Sequence, residues 1–254
     1  MTELKKKKGI IIFSVAVMAV FIGLVIYLSL GIKTDTSLQT TDTVLMVSPV
    51  AFDYNEETAV NNAFQEEGDE SNTAKLARKE SDAYVQLLKD NGINVITVKD
   101  TKKPNTPDSV FPNNWFSTHS DGTFVLYPMF AENRRLERKP AALAAIEANF
   151  NKKRTVDLTH YEKKGLFLEG TGKTIVEISF DQMNHFAGNM LELRNKKGEP
   201  CLVMSLTAYE SLSDKQIDFL KSKMKLITPD LDCIEQNGGG SARCMIAEIF
   251  QSGS

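Results

Sequence analysis

The chain has 254 residues, of which 42% are hydrophobic and 25% are charged. These proportions are typical of a globular protein and exclude collagen-like and disordered chains. The formal net charge of −3 argues against a nucleic-acid-binding protein, because such proteins usually carry a basic surface. The three cysteines form no CxxC motif, so the sequence predicts neither a disulfide framework nor a zinc site, and no cofactor is expected.

An uncharged, apolar segment occupies residues 9–32. A helix of this length spans a hydrocarbon core of about 30 Å, which predicts a single transmembrane helix. A cleaved signal peptide is the alternative, although the run is longer than the usual hydrophobic region of such peptides. The basic tail 1–8 predicts a cytoplasmic N-terminus, with the soluble part outside. Residues 33–42 are polar and predict a linker, and residues 43–254 predict the folded domain.

Predicted strands and helices alternate along the rest of the chain, which indicates an α/β or α+β fold. Strands are predicted at 43–50, 93–98, 123–127, 165–168, 175–178 and 225–227, and a hairpin at 190–205 turns at Lys197-Gly198. Helices are predicted at 56–64, 72–88, 141–150 and 214–225. In the second helix, the expected buried stripe is Leu76, Ala83, Leu87 and Leu88.

Four short segments carry a resemblance to a known family. They are FPNNW (111–115), MFAENRRLER (129–138), LEGTG (168–172) and GGGSARCMIAE (238–248). In this order they resemble the amidinotransferase/arginine deiminase superfamily, or penteins. The nearest branch by resemblance is the citrulline-utilisation hydrolases, which the stretches 44–62 and 180–193 also resemble. The resemblance covers nearly everything after the predicted anchor.

The resemblance implies an α/β propeller of five ββαβ modules, with the active site in the central channel. It also implies that a cysteine thiolate attacks a guanidino or ureido carbon, and that an amine leaves. The motif positions identify Cys244 as the nucleophile and Glu169 as the acidic residue beside the substrate. A thiolate is a strong nucleophile, and the glycine-rich approach to Cys244 lets backbone N–H groups come close to a developing charge.

The ligand implied by the resemblance is a small ureido or guanidino amino acid. Asn114, which follows Asn113, stands where arginine-cleaving relatives carry aspartate. A neutral amide matches a neutral ureido group, so the substitution favours a citrulline-like substrate. The alternative is that the two asparagines form an ordinary turn pair. Arg134 and Arg138 lie where the family places arginines for the α-carboxylate of the substrate.

The sequence departs from the family between Gly172 and Gly188. The family places there a segment with an HTN motif, whose histidine is the catalytic acid and base, whereas only residues 173–187 lie between these glycines. A module needs on the order of thirty residues, so a shortening near 172–173 is expected to remove one to one and a half modules. The three histidines, none in an HTN context, are His119, His160 and His185.

Two kinds of function remain open on the sequence alone. The first is a hydrolase of a C–N bond in a citrulline-like compound, acting through a covalent intermediate on Cys244. The second is a membrane-tethered ligand-binding pseudoenzyme, or a truncated remnant, that lacks the catalytic histidine. For each histidine the plain interpretation is a structural or surface role, and His185 is the alternative candidate for the missing base. Cys201 and Cys233 are expected to be small residues of the core.

Overall fold

The computed structural model describes residues 40–60, 62–67, 72–166 and 178–250, which all fall in one unit, Leu38–Ser254. The strands are β1 (Thr43–Ser48), β2 (Asn94–Lys99), β3 (Phe116–Thr118), β4 (Thr123–Leu126), β5 (Arg154–Asp157), β6 (Leu191–Arg194), β7 (Pro200–Val203), β8 (Lys225–Ile227) and β9 (Ala247–Glu248). The helices are α1 (Glu56–Ala59), α2 (Thr73–Asp90), α3 (Glu132–Arg135), α4 (Pro140–Asn149), α5 (Phe180–Asn184), α6 (Leu206–Ser211), α7 (Asp214–Lys221) and α8 (Asp232–Gly238). Two 3₁₀ turns cover Pro112–Asn114 and Thr159–Lys164.

The strands form three small sheets with one repeated design. Strands β3 and β4 pair antiparallel, and after α3 and α4 the chain returns as β5, parallel to β4. Strands β6 and β7 repeat this arrangement, with α6 and α7 leading to β8 parallel to β7. In the remaining sheet β1 pairs parallel with β2 and antiparallel with β9. Each sheet is therefore a ββαβ module, and the C-terminal strand completes the first.

Most of the predicted elements are confirmed, with shifts of one or two residues at their ends. The β6–β7 hairpin turns at Gly198, whose φ of 79° suits a residue without a Cβ. Helix α2 ends at Asn91 and Gly92, and Gly92 has a φ of 83°. The predicted helices 56–64 and 214–225 are shorter in the structure and end at Ala59 and Lys221. Most of the predicted strands 165–168 and 175–178 lies outside the described residues, as does position 172–173.

The predicted buried stripe of α2 is confirmed at Leu88, and Leu87 is partly buried, but Leu76 and Ala83 are exposed. The buried side chains of this helix are Thr73, Ala77, Ser81, Tyr84 and Leu88. Leu76 is 47% exposed. The spacing of four, four, three and four residues keeps the buried set on one face of the helix. Polar members of that face are tolerated where they find partners: the Tyr84 hydroxyl donates to the carbonyl of Ala242 at 3.2 Å.

Helix α2 and the sheet β2-β1-β9 enclose the principal core. Its members include Val44 and Met46 of β1, Tyr84 and Leu88 of α2, and Phe111. Cys201 is fully buried in this core, as expected, and Cys233 and Cys244 are partly buried against it. The packing places the Cys244 segment directly beside α2, which fixes the site described below.

The sequence predicts a single-pass membrane protein with its soluble domain outside. This predicted localisation is wrong for the part of the chain that the structure describes. Within those ranges, no helix is long and apolar enough to cross a membrane. The longest, α2, contains charged side chains such as Lys75, Arg78 and Glu80, whose transfer into hydrocarbon is costly. The basic tail 1–8, the predicted span 9–32 and linker residues 33–39 lie outside the described residues.

Candidate functional site

Cys244 lies in the turn that connects α8 to β9. Helix α8 ends at Gly239, whose φ of 59° reverses the chain. The side chain of Cys244 is partly buried, and its Sγ accepts a hydrogen bond from Nδ2 of Asn189 at 2.9 Å. Oδ1 of Asn189 accepts from the backbone N–H groups of Arg243, at 2.9 Å, and of Cys244, at 3.3 Å. One asparagine from the start of β6 therefore holds both the backbone and the sulfur of Cys244.

The FPNNW segment packs against the glycine-rich turn. A Cβ added to Gly238 would lie 2.6 Å from the ring of Phe111, and one added to Gly240 would lie 2.8 Å from it. Both positions therefore exclude a side chain, because the Phe111 ring fills the space. Next to this contact, Nδ2 of Asn113 donates to the carbonyl of Arg243 at 3.3 Å. The structure thus brings the predicted Asn113 to the Cys244 turn, through Phe111 and the glycines.

Asn114 contacts a buried ion cluster. Its Oδ1 accepts from the guanidinium of Arg134 at 3.3 Å and 3.4 Å. The same guanidinium donates to both carboxylate oxygens of Glu137, at 2.9 Å and 3.2 Å, and to the carbonyl of Phe111. Arg134 is 5% exposed and Glu137 is 4% exposed. Burial raises the pKa of Glu137 to about 7, although Arg134 favours the ionised form.

Asp108, which sequence analysis missed, completes this cluster. It is 2% exposed, and its Oδ2 accepts from Nδ2 of Asn55 at 2.7 Å and lies 3.9 Å from Nε of Arg134. Its Oδ1 is buried without a hydrogen-bond partner among the residues that the structure describes. Burial raises the pKa of Asp108. In the sequence, only the position of Asp108, three residues before Phe111, pointed to a role at the site. The residues around it predict an ordinary turn.

Arg138 lies in a second ion pair, with Glu162. Its guanidinium donates to Oε1 of Glu162 at 2.6 Å and to the carbonyl of Tyr127 at 2.6 Å. Arg134 and Arg138 both donate to carboxylates of the protein. A substrate carboxylate would therefore compete with Glu137 at Arg134 and with Glu162 at Arg138.

The remaining predicted site residues do not add a base to the described site. Glu169 lies outside the described residues. The histidines make local hydrogen bonds, His119 with the Ser117 hydroxyl, His160 with the Asp157 carbonyl and His185 with the Asp181 carbonyl. The described ranges also contain no group of three or more His, Cys, Asp or Glu side chains placed to hold a metal ion.

Two carboxyl groups with restricted exposure hold the segment that precedes Cys244. Glu235 of α8 accepts from the hydroxyl of Ser241 at 2.5 Å, and burial raises its pKa. Glu80 of α2 accepts from the N–H groups of Cys233 and Ile234 at the start of α8, at 2.9 Å and 3.0 Å. Desolvation raises the pKa of Glu80 to about 7. These contacts fix α8, and α8 in turn fixes the glycine-rich turn.

Comparison with known proteins identifies the type of fold. A family model described as N,N dimethylarginine dimethylhydrolase, eukaryotic, matches residues 48–176 and 171–251. No curated protein matches the chain. The structure is similar to unliganded AgrE, with a TM-score of 0.62, 14% identity, and coverage of 84% of this chain and 40% of that one. Apo ArgZ, an arginine dihydrolase from Cyanobacteria, has a TM-score of 0.56 and 15% identity, with 82% and 40% coverage.

A third solved structure is matched over its whole length. It is a dimethylarginine dimethylaminohydrolase adduct with 4-chloro-2-hydroxymethylpyridine, with a TM-score of 0.55 and 14% identity. The match covers 82% of this chain and 100% of that one, whereas the chain spans only 40% of the AgrE and ArgZ chains. At these identities the likeness shows the fold alone, a mixed α/β fold of small sheets. The family match, together with this fold, supports the amidinotransferase, or pentein, superfamily.

Proposed function

The chain belongs to the family of eukaryotic N,N-dimethylarginine dimethylhydrolases, and from this premise we propose that it hydrolyses a C–N bond of a ureido or guanidino amino acid. The observation that carries the proposal is the Cys244 sulfur, held in a polar turn by Asn189 beside Asn113. Sγ attacks the central carbon, and the C–N bond to the leaving amine breaks as the amine takes a proton. Water then cleaves the S–C bond and restores the thiol.

The contacts of Asn114 favour a neutral, citrulline-like substrate. Arg134 can only donate, so the amide oxygen of Asn114 faces it, and Nδ2 is the end left to meet a ligand. A donor matches the ureido oxygen better than it matches the N–H groups of a guanidinium. Arg134 compensates one negative charge of the Asp108–Glu137 pair, and burial raises the pKa of both carboxyl groups, which reduces the attraction for a cationic ligand.

The test is release of ammonia or amine by the purified protein. We expect ammonia from citrulline, with slower or no turnover of arginine and of dimethylarginine. Cys244→Ala should abolish the release, whereas the matched change Cys201→Ala, in the core, should retain it in the folded fraction. Absence of turnover by a cooperatively folded protein would refute the hydrolase, and faster turnover of dimethylarginine than of citrulline would refute the substrate assignment.

The other predicted residues enter as proposals with their own tests. Glu169 is proposed beside the ligand, so Glu169→Gln should lower the turnover rate while the melting temperature stays within a few degrees. Arg134 and Arg138 are proposed to bind a substrate carboxylate in competition with Glu137 and Glu162. Arg138→Lys should then raise KM much more than it changes kcat, and an unchanged KM would rule out this role.

A ligand-binding protein without turnover is the second candidate. It is favoured by the local hydrogen bonds of His119, His160 and His185, each made to a residue nearby in the sequence. It predicts that citrulline raises the melting temperature of the protein while no ammonia appears. Equal melting temperatures with and without citrulline, arginine and agmatine would exclude it. A remnant without function predicts aggregation, so a cooperative unfolding transition would exclude that third reading.

An internal shortening near 172–173 of the domain 43–254 is also proposed. The proposal rests on the spacing, because only residues 173–187 lie between Gly172 and Gly188. In the described ranges three ββαβ modules are present, where the superfamily resemblance implies five. Sequencing the transcript across these codons tests the shortening: an additional in-frame segment that encodes an HTN motif would refute it and restore a complete set of catalytic groups.

A further inference from the structure

The amide of Asn189 has a fixed orientation at Cys244. Its oxygen accepts from two backbone N–H groups, those of Arg243 and Cys244. Backbone N–H groups can only donate, so the amide cannot be turned over without placing donors against donors. Nδ2 must therefore face the sulfur, and the hydrogen bond to Sγ of Cys244 runs from nitrogen to sulfur.

Among the described residues, the hydrogen bond from Asn189 to Cys244 is shorter than the sulfur hydrogen bonds of the other two cysteines. Nδ2 of Asn189 lies 2.9 Å from Sγ of Cys244. Asn237 and Cys233 form the same pair of atom types at 3.7 Å, on one turn of α8. The thiol of Cys233 itself donates to the carbonyl of Thr73 at 3.6 Å. The chain thus contains a close and a distant asparagine–cysteine pair, and only the close pair involves the proposed nucleophile.

We propose that Asn189 is the positioning residue of Cys244, aiming the sulfur and stabilising negative charge on it. The inference rests on the proposed function, in which Cys244 is the nucleophile. A hydrogen bond to the charged form of a group favours that form. The S–H proton leaves to water, because an amide cannot take it up. Asn189 thereby supplies the charge stabilisation that a neighbouring base would otherwise provide, without supplying proton transfer.

The Cys244 turn is held at several points, so a structural role must be separated from an effect on the sulfur. Tyr84 donates to the carbonyl of Ala242, and Asn62 donates to the carbonyls of Gly238 and Gly239 at 3.4 Å. Asn189→Asp is the discriminating change. It keeps an oxygen for the two backbone N–H groups, has the same shape, and replaces the N–H donor at the sulfur with a carboxylate oxygen. Because the new carboxylate also repels a thiolate, Asn189→Ala, which adds no charge, is measured beside it.

The experiment is alkylation by iodoacetamide, which forms an S–C bond and releases iodide without any turnover. Modification of Cys244 and Cys233 is followed by mass spectrometry from pH 6 to pH 9. We expect Asn189→Asp to slow the alkylation of Cys244 at pH 7 by roughly ten- to a hundredfold, the strength of a hydrogen bond to a charged group. Asn237→Asp, the matched control, should leave the Cys244 rate within about twofold of the wild-type rate.

The outcomes separate this proposal from the hydrolase. If Asn189→Asp slows alkylation while the wild-type protein turns over no substrate, the positioning role stands and the hydrolase fails. If Asn189→Asp reacts at the wild-type rate over the whole pH range, Asn189 only holds the backbone and the inference is overturned. Should Asn189→Asp fail to fold, Asn189→Ala is compared with Asn62→Ala: slowing only in the first supports the role, and equal slowing in both overturns it.

Discussion

The pH dependence of stability follows from Glu137, because this carboxyl group is almost fully buried. Burial raises its pKa from 4.5 to about 7, more than Arg134 and its hydrogen bonds lower it. A raised pKa in the folded state means that the stabilisation is complete below pH 4.5 and is lost as pH rises through 7. For a shift of this size the free energy of unfolding falls by about 2 kcal/mol between pH 5 and pH 7.

Glu137→Gln isolates this contribution. Glutamine has nearly the shape of the protonated acid and does not titrate, so the variant should lack that part of the pH dependence. Burial also raises the pKa of Glu80 and of Glu248 to about 7, but these two groups are present in both proteins and cancel in the difference. At pH 5 the two proteins should be of similar stability, and at pH 7 the variant should be more stable by about 2 kcal/mol.

The assay is urea unfolding at pH 5, 6 and 7, with the free energy of unfolding extrapolated to water. Glu210→Gln, at an exposed glutamate of α6, is the matched control and should follow the wild-type profile. Parallel profiles of the wild type and Glu137→Gln would refute the reasoning. They would mean that Arg134 keeps Glu137 ionised in the folded state, and that pairing outweighs desolvation at this site.

Three further substitutions test the packing around the site. Arg134→Met should lower the free energy of unfolding, measured in urea, by about 3–5 kcal/mol, because Glu137 and Asp108 lose their buried cation. An unchanged free energy of unfolding would show that both carboxyl groups are protonated. Gly240→Ala should lower the free energy of unfolding by about 1–3 kcal/mol, because the new Cβ would lie 2.8 Å from the Phe111 ring. Gly188→Ala, whose Cβ would meet only Ile178 at 3.7 Å, is its control, and equal melting temperatures for the two would contradict the packing argument. Tyr84→Phe should lower the free energy of unfolding by about 1–3 kcal/mol, because the carbonyl of Ala242 loses its buried donor. An unchanged unfolding curve would show that water replaces the hydroxyl.

The sequence by itself determined most of the local structure and the type of fold. Alternating apolar runs and turn residues such as Gly92 and Gly198 located the strands and helix ends, because backbone preferences act over a few neighbouring residues. The motif order identified the superfamily, and Cys244 and Asn113 are in fact close in space. By contrast, the stripe of α2 was misplaced at Leu76 and Ala83, because which face is buried depends on what packs against the helix.

Tertiary structure alone decided which groups surround the sulfur and the arginines. Asn189 and Cys244 are 55 residues apart, and their segments, one before β6 and the other before β9, meet only in the folded structure. Arg134 and Arg138, which were predicted to bind a substrate carboxylate, are paired with Glu137 and Glu162 instead. A buried guanidinium is stable only with a nearby anion. Asp108 likewise becomes a buried charge only when Asn55 and Arg134 converge on it. A linear sequence specifies none of these long-range pairings, because they depend on how separate modules pack.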